Sequence, residues 1–323
     1  VYAERTGLAC LLQPLAGDEL LRSIELADSA VAAGEPEDKY LLVLNGLAEY
    51  RPGRLPQAIP LLQAATTRLP NRPGPRLVLA MAQFRSGDAH QGRRSLAAAV
   101  CKYNWEEIRA DHTTAWVNHV LRREAEAMIL PNLPAFLRGE YQPQENDERL
   151  ALLGICQSKT LNAAAARLYA DAFAADPTLA GDLTADCFDR AAREEVSADR
   201  TEVLNSEGRF LAARCAALAG SGLGADGAKL TPAERKRWRE QACQWLHDDL
   251  GALASRLSDN GPGTRNSVRE MLTLWRTDRV LSGLRDADAL NALPADERER
   301  WIALWNRVDD LLARTSGTKS PSN

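Results

Sequence analysis

Runs of alternating valine, isoleucine and threonine are missing from this chain, so a half-buried β-strand has little basis in its sequence. No stretch approaches the roughly 18 consecutive apolar residues that a membrane span needs, and none is expected. The opening residues lack the charged, apolar and small-residue order of a signal peptide. The first residue is Val1 rather than Met, so a longer parent chain is expected. Basic excess is lacking as well. The net charge is −4, and without a basic face to neutralise phosphates nucleic acid is not an expected partner.

Paired cysteines are also missing. Cys10, Cys101, Cys156, Cys187, Cys215 and Cys243 include no Cys-x-x-Cys spacing. They are expected to be free, buried small hydrophobes in a reducing, cytoplasmic compartment. His90, His112, His119 and His247 stand at ligand spacing from none of them, so neither a metal nor another cofactor is expected. His112 beside Asp111 and His247 beside Asp248 lack a third orienting group. Asp248-Asp249 and Asp309-Asp310 are helix neighbours whose side chains diverge. No enzyme is expected in these residues.

What the chain holds is helix formers and repetition. Leu, Ala, Arg and Glu dominate a composition that is 45% hydrophobic and 26% charged. Residues 41–70, LLVLNGLAEYRPGRLPQAIPLLQAATTRLP, and 76–99, RLVLAMAQFRSGDAHQGRRSLAAA, share one pattern: an apolar helix, a glycine turn, and a second helix. Tyr50 and Phe84, Arg51 and Arg85, and Gly53 and Gly87 each stand 34 residues apart. A helix–turn–helix period of about 34 residues is the tetratricopeptide signature, because one short hairpin cannot hide its apolar faces without neighbours. Gly46 and Ala80, in equivalent places, permit close helix approach. A weaker third unit is read at 149–177, with Ala165-Ala166, Tyr169, Ala172 and Pro177 matching Ala58-Ile59, Leu62, Ala65 and Pro70. Residues 18–34 read as a preceding helix with Leu20, Leu21, Ile24, Ala27 and Val31 on one face, Asp18 capping its start and Gly34 its end. The expected fold is all-α: tetratricopeptide-like helix–turn–helix repeats forming a superhelical solenoid in two halves. Residues 1–130 form the first half, 131–148 a proline-rich linker, 149–316 the second half, and 317–323 a disordered tail.

Residues 219–231, AGSGLGADGAKLT, contain Gly222-Leu-Gly224-Ala-Asp-Gly227, the lettering of a dinucleotide loop. Such a loop must follow a strand so that its glycines bring N–H groups onto a pyrophosphate. Here RFLAARCAALAG precedes it, which reads as helix. Thr231-Pro232-Ala-Glu234 follows, a capping box that starts another helix. The stretch is read as a turn. In the next helix, Glu234-Arg-Lys-Arg-Trp-Arg239 reads as a solvated face. Trp238, Trp245, Trp275, Trp301 and Trp305 read as core.

LRREAEAMIL (121–130), FLRGEYQP, AARLYADAFAADP, ARCAALAG, QACQWLHDDL, LWRTDRVLSGLRDADALNALPADERERWIALW and VDDLLAR occur in that order. With AERTGLACLL and NGLAEYRPGR nearer the start, these blocks resemble the C-terminal helical-repeat region of planctomycete-type bacterial serine/threonine protein kinases and related tetratricopeptide proteins. The resemblance implies a non-catalytic helical region that in many members follows a kinase domain. His-Arg-Asp and Asp-Phe-Gly motifs are missing, so any phosphoryl transfer would lie ahead of Val1. The stretch 187–208 departs from the family pattern and leaves the repeat register there open.

The expected function is protein–protein interaction, with Tyr50, Arg51, Met81, Phe84 and Arg85 as the candidate binding residues. If the two aromatic–arginine pairs face a groove, they form a ladder suited to an acidic segment. Val43, Leu44, Leu77 and Val78 stand where a carboxylate clamp would need Lys and Asn, so an apolar segment is the other expected ligand. In the ladder reading, Arg51→Glu with Arg85→Glu abolishes binding and leaves the melting temperature unchanged. The alternative is a structural spacer or homodimerisation module with no peptide ligand.

Overall fold

Every regular element among the described residues is helical, as the abundance of strong helix formers requires. The computed structural model describes residues 2–34, 38–101, 105, 113–177, 207–259 and 263–316. None of the described helices is long and apolar enough to cross a membrane. The chain divides into two compact units, 1–158 and 159–323.

In the first unit, α1 (Tyr2–Leu11) and α2 (Gly17–Ala32) precede two consecutive hairpins. These are α3 (Lys39–Tyr50) with α4 (Leu55–Arg68), and α5 (Pro73–Arg85) with α6 (Ala89–Cys101). Then α7 (Thr113–Ile129) packs on α5, α8 (Leu133–Arg138) follows, and α9 (Asn146–Ser158) packs on α6. Both hairpins turn in the same way. Gly53 N donates to Tyr50 O and Arg54 N to Glu49 O, each at 3.0 Å. At the equivalent atoms of the second hairpin, Gly87 N donates to Phe84 O at 3.2 Å and Asp88 N to Gln83 O at 3.1 Å. With φ of +86° and +95°, the two glycines end their helices in the left-handed region that a side chain resists. Close approach is just as specific, since a Cβ on Gly46 would meet Leu62 of α4 at 2.7 Å.

The start of α2 differs from its expected form. Its N-cap is Ala16 with no side-chain cap, and Leu21 is 57% exposed while Ser23, Ile24, Ala27 and Ala30 are buried. The stretch 131–148, expected as a linker, lies inside the first unit. Pro134 sits in the first turn of α8, where its missing N–H has no partner to lose, and Leu133 is buried. Arg93 of α6 binds Glu145 and Asp147, each at 2.8 Å, and the Tyr141 hydroxyl donates to Glu148 at 2.9 Å. The division falls instead after Ser158, so the two helices of the expected third repeat belong to different units. Residues 187–206 and the expected tail 317–323 lie outside the described residues.

The second unit holds α10 (Asn162–Ala175), α11 (Glu207–Gly220), α12 (Pro232–Asp259), α13 (Thr264–Thr277), the short α14 (Ala287–Asn291) and α15 (Ala295–Ser316). Its core is aromatic. Trp275, Trp301, Trp305 and Trp245 are buried; Trp275 stacks on Phe210 with centroids 5.8 Å apart, and the Trp305 indole donates to Leu284 O at 2.8 Å. Trp238 is only half-buried.

The glycine-rich stretch joins α11 to α12, so helix stands where a dinucleotide loop would need a strand. Gly222, at φ +73°, closes α11 with the same pair of bonds as Gly53: its N–H reaches Ala219 O and that of Leu223 reaches Leu218 O, each at 2.9 Å. The loop then docks onto the start of α10. Ala225 N donates to Thr160 O at 2.9 Å, and Asn162 Nδ2 donates to Leu223 O at 3.0 Å. A Cβ on Gly224 would lie within 2.4 Å of Thr160 O, so only glycine permits this approach. The Asp226 carboxylate accepts from Ala163 N at 3.1 Å and Ala164 N at 2.8 Å. Leu161, at the N-cap, has no side chain able to do this, so a residue distant in sequence satisfies the free N–H groups and the positive end of the helix. Asp226→Ala should therefore lower stability by about 1 kcal/mol in urea unfolding, as loss of an N-cap does. An unchanged midpoint would contradict this assignment.

Candidate functional site

The residues expected to form a binding ladder converge, but inside the first unit. Tyr50 and Met81 are buried, Phe84 is half-buried, and only Arg85 is exposed. The Arg51 side chain is 4% exposed and forks onto Glu124 of α7 at 2.5 and 2.9 Å. It also donates to Leu11 O at 2.7 Å and Leu12 O at 2.6 Å, where α1 ends. Arg85 lies 4.9 Å from the Tyr50 ring centroid and donates to Tyr50 O at 3.2 Å. Burial pushes the Tyr50 phenol above its ordinary value against the opposing pull of Arg85. These contacts spend the ring and both guanidinium groups on joining α1, α3, α5 and α7. The expectation that Arg51 can be reversed without loss of stability is corrected by the same geometry, because the reversed charge would face Glu124 in the interior.

Two stretches that read as unremarkable in sequence assemble a groove in the second unit. Thr231 N donates to Glu234 Oε2 at 2.8 Å and Glu234 N donates to Thr231 Oγ1 at 3.3 Å, the reciprocal box that starts α12. Asp296 and Glu297 occupy the first turn of α15, where the helix dipole favours acids. The two helices run parallel, because their contacts advance together. Lys236 pairs with Asp296 at 3.1 Å, Glu240 with Arg300 at 3.1 Å, and His247 with Arg307. Beneath these rungs Arg239 forks onto Glu297, itself 2% exposed, at 2.7 and 3.0 Å, and donates to Gly220 O at 2.9 Å. The run 234–239 is therefore not a plain solvated face. Arg235 donates to Ala228 O at 3.1 Å, Lys236 and Arg239 bind α15, and Arg237 enters the groove.

The groove has a volume of about 540 Å³. Leu304, Ala303 and Cys243 line it together with Arg237, Arg300, Arg307 and His247. Glu240 is the one acid in the lining, and Arg300 already holds it. Burial pushes the Cys243 thiol up to about 11, so it contributes as an apolar wall rather than a nucleophile. Of the other cysteines described, Cys156 and Cys215 are buried as expected, while Cys10 is exposed. Among the described residues no cluster of three His, Cys, Asp or Glu side chains could hold a metal ion.

No family model matches the chain, and no curated protein or solved structure matches it either.

Asp249, outside this groove, is a buried titratable group. On α12, Asp248 is exposed and accepts from Gln244 at 2.7 Å, while Asp249 is 2% exposed with one carboxylate oxygen lacking a hydrogen-bond partner. Burial raises the Asp249 carboxyl from 3.8 to about 7, although Arg209 and Arg256 pull it down. Two outcomes follow. Arg51→Glu should cost about 3–5 kcal/mol in urea unfolding, as breaking a buried pair does, whereas Arg85→Glu should cost about 1 kcal/mol. Asp249 binds a proton in the folded chain that the unfolded chain releases above its ordinary value. Its contribution to stability is therefore present at low pH and is lost as pH rises towards about 7. At about 1.4 kcal/mol per pH unit that loss is up to roughly 4 kcal/mol, and Asp249→Asn should remove this part of the pH slope. Parallel slopes for the two proteins would contradict the assignment.

Proposed function

We propose that the chain is a non-catalytic protein-interaction region built on tetratricopeptide-like hairpins and related to the C-terminal part of bacterial serine/threonine protein kinases. The observation that carries this reading is the recurrence of one glycine-ended hairpin, α3–α4 and then α5–α6. Its two turn hydrogen bonds fall on equivalent atoms 34 residues apart. Stacked hairpins of this kind hide apolar faces between neighbours and leave their outer surfaces to other proteins. Free cysteines at positions 10, 156, 215 and 243 support a reducing, cytoplasmic setting.

The test is binding of the purified chain to an array of short synthetic peptides, with its mass followed by light scattering. A binding region retains a subset of peptides saturably and stays at one mass across concentrations. Retention of no peptide, together with a mass that rises with concentration, would make the chain a structural or dimerisation module instead.

A further inference from the structure

Along the ladder between α12 and α15 the partners change in a telling order. The first rung pairs Lys236 with Asp296, the second Glu240 with Arg300, and the third His247 with Arg307. Only the third lacks an acid. Histidine carries no negative charge in any form, so this rung leaves the guanidinium charge uncompensated. Arg237, in the same groove, makes no ion pair with any described residue. Three guanidinium groups thus share the lining with a single carboxylate, in a chain whose net charge is −4. This cationic groove is built against the average of the molecule.

Spacing selects the class of anion. The rungs join residues 60 positions apart, so Arg237 of α12 stands level with Glu297, ten positions or about 15 Å from Arg307 along the paired helices. A single phosphate is too small to bridge them. An extended peptide advances about 3.3 Å per residue and alternates its side chains, so carboxylates four residues apart share one face about 13 Å apart and reach both. Leu304 and Ala303 between the rungs offer an apolar floor to the residues in between.

We propose that the groove between α12 and α15 docks an extended acidic segment of a partner protein, with Arg307 and Arg237 taking carboxylates that no residue of the groove supplies. This deepens the protein-binding reading and rests on it. The partner's acids exchange water for guanidinium forks, which favour planar carboxylates and fix their orientation.

The experiment is fluorescence anisotropy of the full chain with a labelled glycine–serine peptide carrying glutamates four residues apart, beside its glutamine counterpart. The glutamate peptide should bind, and should weaken as salt is added. Arg307→Glu and Arg237→Glu should each weaken it by about tenfold or more. The Arg307→Glu chain should in turn gain affinity for the corresponding lysine peptide, an exchange that a merely structural role would not produce. Arg307→Gln, which adds no repulsion, replaces Arg307→Glu if that variant unfolds, and should still weaken binding. Equal binding of the glutamate and glutamine peptides would overturn the proposal. So would affinity unchanged by substitution of Arg307, or inorganic pyrophosphate binding more tightly than the peptide and displacing it. If arrayed peptides still bind while these tests fail, the groove assignment falls and the protein-binding reading stands.

Discussion

A helix leaves its last carbonyl groups without partners, and where the regular elements described are all packed helices those ends must be closed inside the protein. Arginine closes many of them here. Arg51 takes the end of α1, Arg85 that of α3, Arg239 that of α11, and Arg269 reaches Thr315 O near the end of α15 at 2.5 Å. Arg285 takes Trp275 O and Asp278 O where α13 stops, at 3.2 and 3.0 Å. The guanidinium suits this work because it offers five donors in a fixed plane and can satisfy a carbonyl and a carboxylate at once.

Each unit carries one such fork against a largely buried acid, Arg51 with Glu124 and Arg239 with Glu297. A buried ion pair adds little net stability over a well-packed apolar pair, but it cannot be half removed without stranding a charge. It also specifies which helices meet, since only one arrangement brings fork, carboxylate and open helix end together. The cations left over from this work are the informative ones. Among the described residues Arg237 and Arg307 close no helix end, and both line the groove between α12 and α15.

The fold class and the first two hairpins were legible because their signals are local. Gly53 and Gly87 announce helix ends by position, Thr231 and Glu234 announce a helix start, and the tryptophan spacing of α15 announces a core face. What could not be read is what acts over long separations in sequence. Tyr50 and Arg51 invite a surface reading because Glu124 and Leu11, which enclose them, stand far along the chain. The prolines of 131–148 suggest a linker until Arg93 is seen to bind Glu145 and Asp147. The groove escaped notice because it forms between the polar faces of two helices, and each such face alone reads as solvated. The glycine stretch was legible as a turn, but nothing near it in sequence shows that Asp226 caps α10.

The most direct test of the arginine-closure account is urea unfolding of Arg51→Lys and Arg239→Lys beside the native chain. Lysine keeps the charge and its attraction to Glu124 or Glu297, but it lacks the fork that also reaches the carbonyl ends. Each substitution should cost more than about 2 kcal/mol, beyond the modest net value of a single hydrogen bond. Unfolding midpoints within error of the native chain for both would show that charge alone suffices, and would contradict the account.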